Sequence, residues 1–139
     1  CARARRGGAQ DLRPDARVHK VLAICGTSAQ ADALQAEARA ALAACNVARS
    51  SPILVEIMAR GVDKGAAVRR VCAHLGLAPA RALAFGDGWN DLEMLEVVGL
   101  PCVMENAPEG LRARFPRRAQ NNADDGVARA IEALLGQRK

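Results

Sequence analysis

Phe85-Gly86-Asp87-Gly88-Trp89-Asn90-Asp91-Leu92-Glu93-Met94-Leu95 joins an apolar, strand-like run to an amphipathic helix pattern and sets two carboxylates at the junction. Residues 82–85 read as a short buried strand. Gly86 and Gly88 supply a turn where backbone can approach a ligand, and Asn90 or Asp91 opens a helix whose inner face is Leu92, Leu95 and Val98. Ligands of open α/β sheets sit at such strand-to-helix junctions. Asp87 leaves the strand's carboxyl end and Asp91 lies in the helix's first turn, so both carboxylates face one small volume. Two hard oxygen donors suit Mg²⁺, which keeps several waters and takes the rest of its shell from a carboxylate or two and substrate phosphate. Two solvated acids at a helix start would have the same spacing.

A second stretch with chemical content is Arg60-Gly61-Val62-Asp63-Lys64-Gly65. Asp63 is placed to cap a helix with Ala67, Val68, Val71, Cys72 and Leu75 inward, closed by Gly76. Lys64 then stands at the positive end of that helix. A cation is disfavoured there unless an anion binds, and the residues alone leave Lys64 open between a phosphate ligand and a solvated side chain.

The 86–95 string resembles the fourth motif of the haloacid dehalogenase superfamily in its Cof-type (subfamily IIB) branch of phosphatases, G-D-G-x-N-D-x-x-M-L. Every fixed position is present as Gly86, Asp87, Gly88, Asn90, Asp91, Met94 and Leu95. Gly61, Lys64 and Gly65 match the family's G-x-x-K-G at the family's distance upstream, and residues 122–127 are similar to its closing N-x-E-D-G-V. The family also has an Asn-Ala where Asn106 and Ala107 stand, whereas residues 115–120 depart from its pattern. The resemblance implies a Rossmann-like α/β core, here a parallel sheet with flanking helices, together with the tail of an α/β cap domain. It implies that Asp87 ligates Mg²⁺ and that Asp91 orients a metal-bound water. Lys64 would steady the phosphate and the nucleophile, and Asn90 would touch the phosphate. The substrate would be a phosphorylated small molecule such as a sugar phosphate, hydrolysed through an aspartyl-phosphate.

One part of that machinery has no counterpart. The family's nucleophile lies in D-x-D-G-T, yet the eight aspartates, at 11, 15, 32, 63, 87, 91, 124 and 125, include no pair two residues apart. The chain also opens on Cys1. The expectation is a piece of a longer phosphatase: a basic flexible segment at 1–17, a cap remnant at 18–57 and the carboxyl-terminal half of the core at 58–139. The missing amino-terminal half of its own fold is then its first partner. Such a chain is expected to be inactive alone and prone to aggregate along an open sheet edge. The alternative is a non-catalytic homologue that persists as a binding or scaffold fragment. Cation-pumping P-type ATPases share Gly-Asp-Gly-x-Asn-Asp, but the flanking sequence here resembles the phosphatases.

Composition narrows the class. A chain of 139 residues, half of them hydrophobic, suffices for one ordinary core. With only two Phe and one Trp, a base-stacking nucleic-acid surface is not expected. The net charge of +5 concentrates in residues 1–20, where Arg3, Arg5, Arg6, Arg13, Arg17 and Lys20 face only Asp11 and Asp15. Five widely spaced cysteines without C-x-x-C read as small buried hydrophobes of a reducing compartment, and no apolar run approaches the ~18 residues of a membrane helix. A soluble cytoplasmic protein, or one of an organelle stroma, is the expectation.

From residue 18 on, strands are expected at 18–25, 46–50, 53–58 and 100–104. Helices are expected at 28–45 behind a Thr27/Gln30 capping box, at 106–115 behind an Asn106/Glu109 box, and after Gly126 with Val127, Ala130, Ile131 and Leu134 inward. Arg112, Arg114, Arg117 and Arg118 form a local basic cluster, read as a solvated face.

Overall fold

A computed structural model describes residues 18–136. The basic segment at 1–17 and Cys1 lie outside the described residues.

The alternating apolar pattern after residue 18 builds an antiparallel sheet. Strands β1 (Lys20–Ile24), β2 (Cys45–Ser51) and β3 (Leu54–Ala59) associate in the order β1-β3-β2. Pro52 and Ile53 turn β2 into β3, and β3 pairs with β1 from Lys20↔Met58 to Ile24↔Leu54. Helix α1 (Ser28–Ala41) covers one face and buries Ala31 and Ala38 against Val47 and Val55. Thr27 caps it by accepting from the Gln30 amide at 3.2 Å, while the Gln30 side chain accepts from Gly26 N–H at 2.9 Å. One orphan donor of the helix is thereby satisfied, and the Gln30 side chain meets the N–H one residue before the cap, where the expected box would have met that of Thr27. The helix ends at Ala41, four residues before the expected end, because Cys45 pairs with Ala59 in the β2–β3 ladder. Pairing across the sheet outweighs a helical preference that alanine alone would extend.

The second sheet is parallel. β4 (Leu83–Gly86), β5 (Leu100–Met104) and β6 (Arg118–Ala119) lie in the order β4-β5-β6. Side chains of central β5 alternate between two cores. Val103 packs with Leu95, Ala107 and Leu111 under α3 (Leu92–Val97) and α4 (Glu109–Arg112), while Cys102 and Met104 pack with Ala119 and Ala130. Ala130 belongs to α5 (Gly126–Gly136), so helices cover both faces, as parallel sheets require. Pro101 pairs with Ala84 at the second position of β5, where its missing donor costs least.

Two helix faces differ from expectation. On α5, Val127 and Ile131, expected inward, are 38% and 40% exposed. Helix α2 (Lys64–His74) turns Gly65 and Cys72 inward, whereas Val71 and Leu75 are 57% and 61% exposed. It meets α3 through Gly65, whose Cα lies so close to the Glu93 carbonyl that a Cβ would sit 2.7 Å from the carbonyl carbon. A glycine contact between two helices, not the apolar stripe, sets the rotation of α2. At α4 the expected capping box is absent, since Pro108 occupies the N-cap and the Asn106 side chain bonds elsewhere. Among the described residues no helix is long and apolar enough to cross a membrane.

Candidate active site

The parallel sheet sends its three carboxyl ends to one place. After Gly86, which ends β4, the chain enters a 3-10 turn at Trp89–Asp91 and continues into α3. Asp91 is 4% exposed, the one charged side chain buried among the described residues. Its Oδ2 accepts from the backbone N–H groups of Asp87 and Gly88, both at 3.0 Å. Its Oδ1 pairs with the Lys64 ammonium. The carboxylate therefore closes the 87–91 loop on itself and ties it to α2. A buried carboxylate is stable when its lone pairs are met in this way.

Lys64 reaches Asp91 because α2 begins beside α3. Asp63 caps α2 by accepting from the Ala66 amide at 2.7 Å, and the Gly65–Glu93 approach brings the first turns together. Half of the Lys64 side chain remains exposed, so one flank of the ammonium is open to an incoming anion.

Asp87 is exposed at the β4 terminus. Its Oδ2 accepts from Asn106 Nδ2 at 3.1 Å, and Asn106 Oδ1 accepts from the Asn122 amide at 3.2 Å. Asn106 thus links the loops that follow β4, β5 and β6. Sequence reasoning placed it as a helix cap and missed this bridge, although its position just beyond a parallel strand was a signal. Asn90 lines a cleft of about 200 Å³ together with Lys64, Asp63 and Asn46. Asp87 faces an adjoining cleft of about 750 Å³ between α1, β2 and the 87–91 loop, into which Trp89 also projects. Lys64, Asp91 and the Asp87 backbone are in one hydrogen-bonded unit, with the Asp87 carboxylate and Asn90 on neighbouring walls.

This donor set can be tested against Mg²⁺. Both Asp91 oxygens are already engaged, whereas Asp87 is accessible with one oxygen held by Asn106. Among the described residues no group of three or more His, Cys, Asp or Glu converges on one point. A hard cation that keeps water and phosphate in its shell needs only one or two carboxylates, so a single direct ligand from this chain fits.

A family model of haloacid dehalogenase-like hydrolases matches residues 8–131. The chain belongs to that family. Among curated relatives of this hydrolase family, the chain is 35% identical over 85 residues to a 5-amino-6-(5-phospho-D-ribitylamino)uracil phosphatase of Bacillus subtilis, covering 61% of this chain and 34% of that protein. A haloacid dehalogenase-like hydrolase from Bacteroides thetaiotaomicron superimposes with a TM-score of 0.71 at 29% identity, over 95% of this chain and 49% of that one. A subclass IIB sugar phosphatase of the superfamily shares the fold with a TM-score of 0.74 at 22% identity, over 86% of this chain and 44% of that one. The chain thus spans about a third of the curated relative's length and just under half of each solved structure. The α/β architecture with a parallel sheet and flanking helices is that of this hydrolase family.

Proposed function

We propose that this chain forms the rear wall of a phosphatase site that hydrolyses a phosphorylated small metabolite. The observation that carries the reading is the Lys64–Asp91 pair, a half-open ammonium fixed by a buried carboxylate at the carboxyl ends of the parallel strands. The Lys64 ammonium binds the phosphoryl oxygens, Asn90 adds a neutral hydrogen bond, and Asp91 holds the ammonium and the loop in place. Asp91 would reach a metal-bound water only by giving up one of these partners. Asp87 would hold Mg²⁺, which when bound supplies positive charge to the phosphoryl oxygens. Attack on phosphorus by an aspartate, with an aspartyl-phosphate intermediate, requires a residue from outside this sequence, because no D-x-D-G-T is present.

The antiparallel sheet with α1 is then the remnant of a cap and the parallel sheet with its helices the core. The division at 57–58 moves to the turn after β3, since Met58 and Ala59 still pair within the first sheet. The exposed Val71 and Leu75 of α2 and the exposed Val21, Leu22 and Ile24 of β1 favour a partner that covers them. The extra length of the relatives makes the remainder of the fold the first candidate. The same surfaces favour the second reading, a non-catalytic binding module. A cytoplasmic or stromal location belongs to this proposal too.

Hydrolysis of p-nitrophenyl phosphate and binding of inorganic phosphate test it together. The chain alone should bind phosphate and lose about tenfold in affinity on Lys64→Met, while hydrolysis stays at background with or without Mg²⁺. Turnover abolished by Asp87→Asn would overturn the need for an outside nucleophile, and phosphate binding indifferent to Lys64 would overturn the site.

A further inference from the structure

The three aromatic side chains of this sequence are unequally placed. Phe85 and Phe115 pack against the cores around the parallel sheet, whereas Trp89 is 44% exposed and lines the 750 Å³ cleft beside Asp87. An aromatic ring open to a cleft is available to pack on whatever the cleft holds. The indole is also held firmly. Its benzo edge rests on Gly110 in α4, where a Cβ would meet Cζ2 at 3.2 Å and Cη2 at 3.3 Å. Its backbone belongs to the loop that Asp91 closes.

The opposite wall carries two arginines, and both are engaged within the protein. Arg49 pairs with Asp32 and donates to the Ser51 carbonyl at 3.1 Å, to the Pro52 carbonyl and to Ser28 Oγ at 3.3 Å. Arg39 places both Nε and Nη2 on the Val47 carbonyl, at 3.2 and 3.1 Å. All three nitrogens of Arg49 are thereby committed, whereas Arg39 spends two of its five N–H donors on one neutral carbonyl and keeps its charge.

We propose that Trp89 selects the leaving group, packing its ring against a cyclic one such as a pyranose or a nucleoside. This rests on the phosphate-site reading above, with the phosphoryl group at Lys64 and the leaving group extending along the cleft past Trp89. A rigid platform adds affinity at small conformational cost.

Trp89 is the sole tryptophan, so its emission reports on the cleft directly. The 139-residue chain is titrated with inorganic phosphate, glycerol phosphate, a hexopyranose phosphate and a nucleoside monophosphate, followed by emission and calorimetry. A cyclic phosphate should shift the emission and bind about threefold to tenfold tighter than glycerol phosphate. Trp89→Ala should erase the cyclic preference while inorganic phosphate binding persists, and Trp89→Phe should retain part of it. Which cyclic probe binds tighter separates sugar from nucleoside. Equal affinity for cyclic and acyclic phosphates overturns the role of Trp89 and leaves the phosphate site standing. Failure of every probe, inorganic phosphate included, overturns both.

Discussion

Replacing Asp91 by Asn keeps the volume of the side chain and removes its charge. The carboxylate accepts from two backbone N–H groups on Oδ2 and from Lys64 on Oδ1, at 4% exposure. Hydrogen bonds to a charged group are worth about 1.5–3 kcal/mol each and neutral ones about 1. An asparagine oxygen aimed at the two N–H groups retains neutral bonds there and turns its NH₂ toward the Lys64 ammonium, a donor facing a donor. The ion pair contributes only about 0.5 kcal/mol, since half of Lys64 is in solvent. The sum predicts a loss of about 2 kcal/mol for Asp91→Asn and about 3 kcal/mol for Asp91→Ala, which orphans both N–H groups. Urea unfolding of both variants, of Lys64→Met and of the Lys64→Met/Asp91→Asn double variant gives the coupling. The decisive condition is a chelator. A carboxylate that serves chiefly as a metal ligand would relieve repulsion when removed without metal, so Asp91→Asn would then be neutral or stabilising. A loss under about 0.5 kcal/mol in chelator would refute the clamp.

Gly65→Ala gains helix propensity but drives a methyl into the Glu93 backbone, so a net loss of about 1–2 kcal/mol is expected by thermal melting; stabilisation would show that α2 can slide freely past α3. Leu111, fully buried in the core under α3 and α4, should cost about 2–5 kcal/mol when replaced by Ala, read by the same denaturant titration. Asn106→Ala should change stability by less than about 1 kcal/mol yet speed hydrogen exchange of the Asn122 amide, because it removes the tie between three loops. Burial pushes the Cys102 thiol above its ordinary value of 9.0, with Arg117 and Arg118 pulling partly the other way. The unfolded chain therefore ionises first. The stability this confers is whole below the ordinary thiol value and is lost as pH rises toward the folded one. Unfolding midpoints should fall more steeply above pH ~9 in the native chain than in Cys102→Ala.

Much of this structure was legible locally. Thr27 and Asp63 cap the helices where their spacing put them, Gly76 adopts a φ of +66° just past α2, and 100–104 forms a strand with its proline near the start. The junction at 86–91 also formed as read, apart from a 3-10 turn before the helix. The misreadings share one cause. The end of α1, the rotation of α2 and the role of Asn106 depend on what lies across from them: Ala59, Glu93 and Asp87. No periodicity within a segment carries that.

Taken alone, the order of residues determined which segments become strands and helices and which hydrophilic groups stand at the strand ends, because caps, turns and apolar spacing act over a few residues. Tertiary structure alone decided that Asp91 would be engaged on all sides while Asp87 stays open, and that Trp89 would face a cleft while both phenylalanines packed, partly buried, against the cores. Those outcomes turn on the close approach of α2 to α3 and of Trp89 to α4. The missing side chains of Gly65 and Gly110 permit both approaches, and each joins segments at least twenty residues apart.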